Sequence, residues 1–148
     1  MTLYVIGPLI LDTFPFNADS ADRRGQADFA IKPVVSGLQP LEPMGEGDDT
    51  LIVAGQLMPF KIGGLSHLAL ADQLRIAQQP LPCQRGDGRS FGWRVIVENG
   101  EKHQDLMRNG VGFTVDYELR LRKVPPPYGA AAAGVISMVT SLFSVLGR

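Results

Sequence analysis

Few side chains in this sequence could do chemistry. Cys83 is the single cysteine, and His67 and His103 are the two histidines. A Cys–His pair would make a nucleophile, because an imidazole can take the thiol proton. No recognisable nucleophile context surrounds Cys83, so a small buried thiol and two surface imidazoles account better for these residues. One cysteine also excludes an internal disulfide framework and a cysteine-based zinc site. Gly86-Asp87-Gly88 faintly resembles a phosphate loop, but the downstream Gly-Lys-Ser/Thr is missing. A tight turn fits it better, since Gly and Asp supply the positive φ that turns need. Glu42, Glu46, Asp48 and Asp49 could offer carboxylates to calcium. They lack the alternate-residue spacing and terminal Glu of an EF-hand loop, and read as a solvated acidic turn. The inventory yields no catalytic set, no metal site and no cofactor site, and the chain is read as a non-enzyme.

The remaining charged residues point to contacts. Arg94, Arg120, Arg122 and Lys123 could form a basic strip for nucleic acid. No aromatic residues interleave with them, and Asp116 and Glu118 lie on the same face. Salt bridges to a neighbouring subunit fit better, which makes Arg94, Asp116, Glu118, Arg120 and Arg122 the candidate interface. The net charge of −1 gives no bulk positive field for nucleic acid. Charge is nevertheless uneven. Residues 1–50 carry three basic residues against eight acids, a net of −5, and residues 51–148 carry eleven against seven, a net of +4. Such polarity suits head-to-tail association of copies.

These side chains need elements to position them. The chain has 148 residues, 45% hydrophobic and 20% charged, enough for one core and one domain. Eleven prolines and seventeen glycines cut it into short pieces. Residues 2–12 read as a strand broken near Gly7-Pro8, residues 13–33 as a long loop or arm, and residues 36–50 as an acidic turn region. Residues 50–57 are rich in β-formers. Residues 66–79 lack Gly and Pro and read as a helix with Ser66 as its N-cap, stopped by Pro80. Its apolar residues fall on two sides, one for its own sheet and one for a neighbour. Phe91, Trp93, Val95 and Val97 alternate with Gly92, Arg94, Ile96 and Glu98, placing Trp93 in the core. A polar turn at residues 99–102 follows. The clearest period is over residues 111–122. Val111, Phe113, Val115, Tyr117, Leu119 and Leu121 point one way and the small or polar residues between them the other, as in a half-buried antiparallel strand.

Pro125-Pro126-Pro127 forms a stiff spacer. Residues 129–147 then carry no charge. On a helix, Ser137, Thr140, Ser141 and Ser144 share an arc about 100° wide, opposite a face that includes Val135, Met138, Val139, Leu142, Val145 and Leu146. The expected organisation is a domain over residues 1–124, a proline linker over 125–128 and an apolar C-terminal helix over 129–148. The linker would project a partner helix whose face packs on a helix of another protein or on its symmetry mates. A membrane anchor is the competing use of so apolar a segment. The alanines, Gly134 and the four hydroxyls make it less apolar than a spanning helix. No signal peptide is visible, which implies a cytoplasmic, reducing setting.

Three stretches, in order, carry a family resemblance. They are residues 45–59 (GEGDDTLIVAGQLMP) with Gly63-Gly64 and the helix after them, residues 86–96 (GDGRSFGWRVI), and residues 109–124 (NGVGF through LRLRKV). Together they resemble the GpU tail proteins of contractile-tailed phages and phage-tail-like bacteriocins. Over residues 1–124 the resemblance implies a mainly β, α+β fold of the tail-tube type, an antiparallel β-sandwich or partial barrel with one flanking helix; the helical C-terminal tail is read from its own residues. The resemblance also implies a virion component assembled in the host cytoplasm, a homo-hexameric ring joining the baseplate hub protein to the tail tube protein. The tape-measure protein is the further partner expected for the tail. No sequence-specific nucleic acid and no membrane is implied as a partner. Two alternatives stay open: a tail terminator ring at the head-proximal end, and a cytoplasmic ligand-binding β domain with a membrane-anchoring tail.

Overall fold

Each turn in the chain falls where Gly, Pro, Asn or Asp can make it, and the apolar runs between them pair as strands. The computed structural model describes residues 2–12 and 17–127. In chain order the elements are β1 (Thr2–Ile6), β2 (Leu9–Asp12), β3 (Ser20–Ile31), β4 (Leu41–Leu57), α1 (Leu65–Ala77), β5 (Leu81–Arg85), β6 (Ser90–Leu106) and β7 (Gly112–Val124). The strands form one seven-stranded sheet in the order β2-β1-β5-β6-β7-β4-β3, antiparallel throughout. Among the described residues the expected antiparallel, mainly β architecture with one flanking helix is present, but the second sheet of a sandwich is not. One open sheet suffices because α1 covers its core face through Leu68 and Ala71. An isolated bridge between Asp12 and Asn17 also draws the ends of β2 and β3 together.

β7 lies inside the sheet, between β6 and β4, and carries the alternation read from the sequence. Val115, Tyr117, Leu119 and Leu121 are buried while Glu118, Arg120 and Arg122 are exposed. They pack with Ile6, Leu9 and Leu11 of the first hairpin, Leu51, Val53 and Leu57 of β4, and Leu81, Cys83, Phe91 and Ile96 of β5 and β6. Phe113, nearer the strand end, is half-buried and stacks on Phe60 at 6.5 Å. The break at Gly7-Pro8 separates β1 from β2 as expected.

Several segments differ from expectation. Residues 20–31 are not loop, and residues 41–50 are not a turn. They pair as β3 and β4 from Ser20↔Ala54 to Ile31↔Leu41. Hydrogen bonding along the ladder satisfies their backbone even though most of their side chains face water on both sides, so no apolar period marks them. Residues 99–102 continue β6 rather than turning. Asn99 lies opposite Leu119 and Lys102 opposite Asp116, so pairing with β7 overrides the local turn preference. The reversal comes at Met107–Val111, where the Val111 N–H donates to the Asn109 side chain at 3.2 Å. The helix starts at Leu65 behind Gly64, without a side-chain cap, so Ser66 is not its N-cap. Leu65, Ala69 and Ile76 remain exposed on its outer side. β7 ends at Val124, before the three prolines. The predicted C-terminal helix, with Val135, Met138, Val139, Leu142, Val145 and Leu146, lies outside the described residues. Among the described residues no helix is long and apolar enough to cross a membrane.

Candidate assembly interface

Gly92 decides what β6 buries. Its φ of +75° breaks strand alternation, so Phe91 and Arg94 both turn inward while Trp93 is only half-buried. The expectation that Trp93 is core and Arg94 surface is therefore reversed locally. Arg94 is 0% exposed and lies inside the subunit, apart from the other candidate interface residues. Its Nε donates to the Phe91 carbonyl at 3.1 Å, Nη1 to the Asp49 carbonyl at 3.2 Å and Nη2 to Asp49 Oδ1 at 2.9 Å. Arg23 reaches the same carboxylate from β3, Nη2 to Oδ2 at 2.7 Å. Burial pushes the Asp49 carboxyl up, but the hydrogen bonds from Arg23 and Arg94 outweigh it and hold it below the usual value. The guanidinium carbons of Arg23, Arg85, Arg89 and Arg94 stand 5.3 to 5.9 Å from the Phe91 ring centre. Asp49 thus ties three strands, β3, β4 and β6, at one buried point.

The other four candidate residues do come together. Asp116, Glu118, Arg120 and Arg122 follow one another on the outer face of β7, as the alternation requires. Asp116 accepts from the side-chain amide of Gln56 at 3.1 Å and from that of Gln104. Arg120 pairs with Glu98 at 3.0 Å, Arg122 with Asp48, and Lys123 with Glu46 at 3.0 Å. Lys32 pairs with Glu42 at 3.0 Å. The acidic segment expected to be a solvated turn is therefore matched, residue by residue, by basic side chains of neighbouring strands and, for Glu42, by Lys32 just past β3. Much of the front-to-back charge difference is consumed inside one subunit. Beside this row lies an open groove of about 580 Å³, lined by residues that include Gly55, Gln56, Lys102, Asp116 and Glu118. Gly55 itself allows a close approach: a Cβ there would stand 2.0 Å from the Asn17 carbonyl oxygen. The Tyr117 hydroxyl donates to that same oxygen at 2.6 Å.

The residues considered for chemistry sit elsewhere. Cys83 is buried, and burial pushes its thiol up to about 11, which leaves almost no thiolate at neutral pH. His103 Nδ1 accepts from the Gly112 N–H at 3.1 Å, within the β6–β7 hairpin. Gly86-Asp87-Gly88 forms the turn between β5 and β6. Its own carboxylate fills the place of an anion: Asp87 accepts from Arg85 at 2.5 and 3.0 Å and from the Arg89 N–H at 3.1 Å. The Arg85 side chain and then the Arg89 N–H hold the Asp87 carboxyl down at about 2. Among the described residues no group of three or more His, Cys, Asp or Glu is placed to hold a metal ion.

The model of the family described as Phage P2 GpU matches residues 10–125, nearly the whole sheet. Nothing among the curated proteins matches the chain. Among solved structures, it is similar to a chain in the virion of a native gene transfer agent particle, with a TM-score of 0.58 at 14% identity, over 84% of this chain and 91% of that one. It is also similar to a chain in the tail of an empty gene transfer agent particle with C6 symmetry, with a TM-score of 0.53 at 13% identity, over 76% and 82%. A third similarity is to the Dit protein of phage SPP1, described as a hub adsorption apparatus protein of phages infecting Gram-positive hosts. There the TM-score is 0.57 at 9% identity, over 85% of this chain and 51% of that one. The chain thus spans about half the Dit length. At these identities the likenesses establish the fold.

Proposed function

The chain belongs to the phage P2 GpU family of tail proteins, and on that premise we propose that it is a structural subunit of a contractile phage tail or phage-tail-like particle. Six copies form a ring between the baseplate hub protein and the tail tube protein. The work is assembly, not catalysis. The family match across the sheet is the observation that carries this reading. Two features of the sheet support it. β2 and β3 lie at its edges, and exposed edge strands invite pairing unless another chain covers them. The outer face of β7 also presents a row of charge that changes from acidic to basic along the strand, Asp116 and Glu118 then Arg120 and Arg122, rather than an apolar surface. Charge complementarity of that kind sets register between copies more than it adds affinity.

Replacing Arg120 and Arg122 together by Glu tests the interface. Within the subunit each arginine makes an exposed pair, and such pairs contribute only about 0–1 kcal/mol. The variant is expected to keep the circular dichroism and a cooperative unfolding transition of a folded subunit, with a modestly lowered midpoint from the like charges it sets beside Glu98, Glu118 and Asp48. By light scattering it should remain a single chain under conditions where the unaltered protein forms rings, and rings of the unaltered protein should weaken with salt. A ring that persists in the variant, at low and at high salt, would remove these side chains from the interface.

A further inference from the structure

The β3–β4 hairpin carries an apolar surface that nothing in the described residues covers. Past Gly25 and Asp49 the hairpin leaves the rest of the sheet, since β4 pairs with β7 only from Thr50 onward. Both irregularities in the β3–β4 register place the extra residue in β4, so β3 keeps its alternation. Phe29 and Ile31 therefore share a side with Arg23, whose guanidinium lies over the core ring of Phe91. Their cross-strand partners are Pro43 and Leu41. The core-facing side of the sheet thus continues into the overhang, where Phe29 is 52% and Ile31 63% exposed, and Val35 and Leu38 at the tip are fully exposed. Among the described residues, the overhang's outer part carries the ion pair Lys32–Glu42, at its loop. A two-stranded ribbon of this kind is marginal in water unless its apolar side is packed.

The course of the chain points to its cover. β7 runs antiparallel to β4, with Arg122 opposite Thr50, so residues after Val124 head along β4 toward Leu41. Pro125 and Pro126 still line a cleft with Glu46, Gly47 and Lys123. From Glu46 to Leu41 is about 17 Å of strand at roughly 3.4 Å per residue. The uncharged segment 129–147 has nineteen residues, which reach about 28 Å as a helix and farther if extended. We propose that the C-terminal segment 129–147 of the same subunit packs on the apolar side of the β3–β4 hairpin. The segment is delivered beside that surface, is long enough to cover it, and carries no charge that would be buried without a partner. This is a property of the isolated chain and does not rest on the ring.

Hydrogen exchange of the full-length chain tests it, at a concentration where light scattering gives a monomer. Amides of residues 29–44 are expected to exchange at least tenfold more slowly in the unaltered chain than in the variant Val139→Asp with Leu142→Asp, with the rest of the sheet unchanged. The reciprocal variant, Val35→Ser with Leu38→Ser, should speed exchange of the 129–147 amides in turn. Equal exchange of residues 29–44 with and without the two aspartates overturns the proposal. So does protection that grows with protein concentration, which would assign the hairpin to a second copy. Protection that appears only when tape-measure protein is added overturns it equally, returning the tail to the partner expected from sequence.

Discussion

Asp49→Ala is expected to destabilise the subunit by about 3–5 kcal/mol, the cost of leaving a buried charge without its partner. Arg94 is 0% exposed, and the side chain of Asp49 is the carboxylate that faces it. Removing that carboxylate leaves a guanidinium in the core hydrogen-bonded to the backbone carbonyls of residues 91 and 49, with no counter-charge from Asp49. Arg23 loses its pair at the same time and β3 loses its tie to the core. Chemical denaturation would read the change directly, and a loss below about 1 kcal/mol would show that the buried network is dispensable. The pH dependence follows from the same contact. The Asp49 carboxyl is held below its ordinary value of 3.8 in the folded state. Its contribution is therefore complete above that value and is lost as pH falls below it through the depressed folded value. The unaltered chain should lose stability on acidification more steeply than Asp49→Ala.

Leu119→Asp should abolish folding. Leu119 lies in the middle of β7, an interior strand, fully buried, opposite Val53 on one side and Asn99 on the other. An aspartate there would be an ionised group in a packed core with no cation beside it, or would have to take up a proton to enter. The neighbouring change Glu118→Ala, one residue away on the outer face, should alter stability by no more than about 0.5 kcal/mol. The expected readout is insoluble or non-cooperative material for the first and an ordinary unfolding transition for the second. Two soluble proteins with similar transitions would mean that the facing of β7 is wrong.

Those two sites differ in how plainly the sequence announces them. β7 is legible because one of its faces is buried and the other wet, so its side chains alternate without interruption from Val115 to Arg122. The helix is legible because residues 66–79 hold good helix formers between Gly64 and Pro80. The β3–β4 hairpin leaves no such trace. Arg24, Asp28 and Glu46 face mostly water, and backbone pairing rather than side-chain burial makes the strands. Strand β5 is too short, and too interrupted by Pro82, to show a period. The Arg94–Asp49 pair joins residues 45 apart in the chain, and no spacing rule connects them. The one usable signal was Gly92, a glycine inside a strand pattern, which marks a shift in which residues face inward. The four outer residues of β7 were found together because alternation alone places them. Strict alternation along β6 would put Arg94 on the outer face, and Gly92 is where that alternation breaks.

The proposed role of the chain is that of a ring subunit at the baseplate end of a tail. Electron microscopy of intact particles carrying a label on this protein tests it most directly. The account predicts label in a single sixfold ring where the tail tube meets the baseplate hub. Label at the head-proximal end, label repeated along the tube, or particles that lack the protein would contradict it.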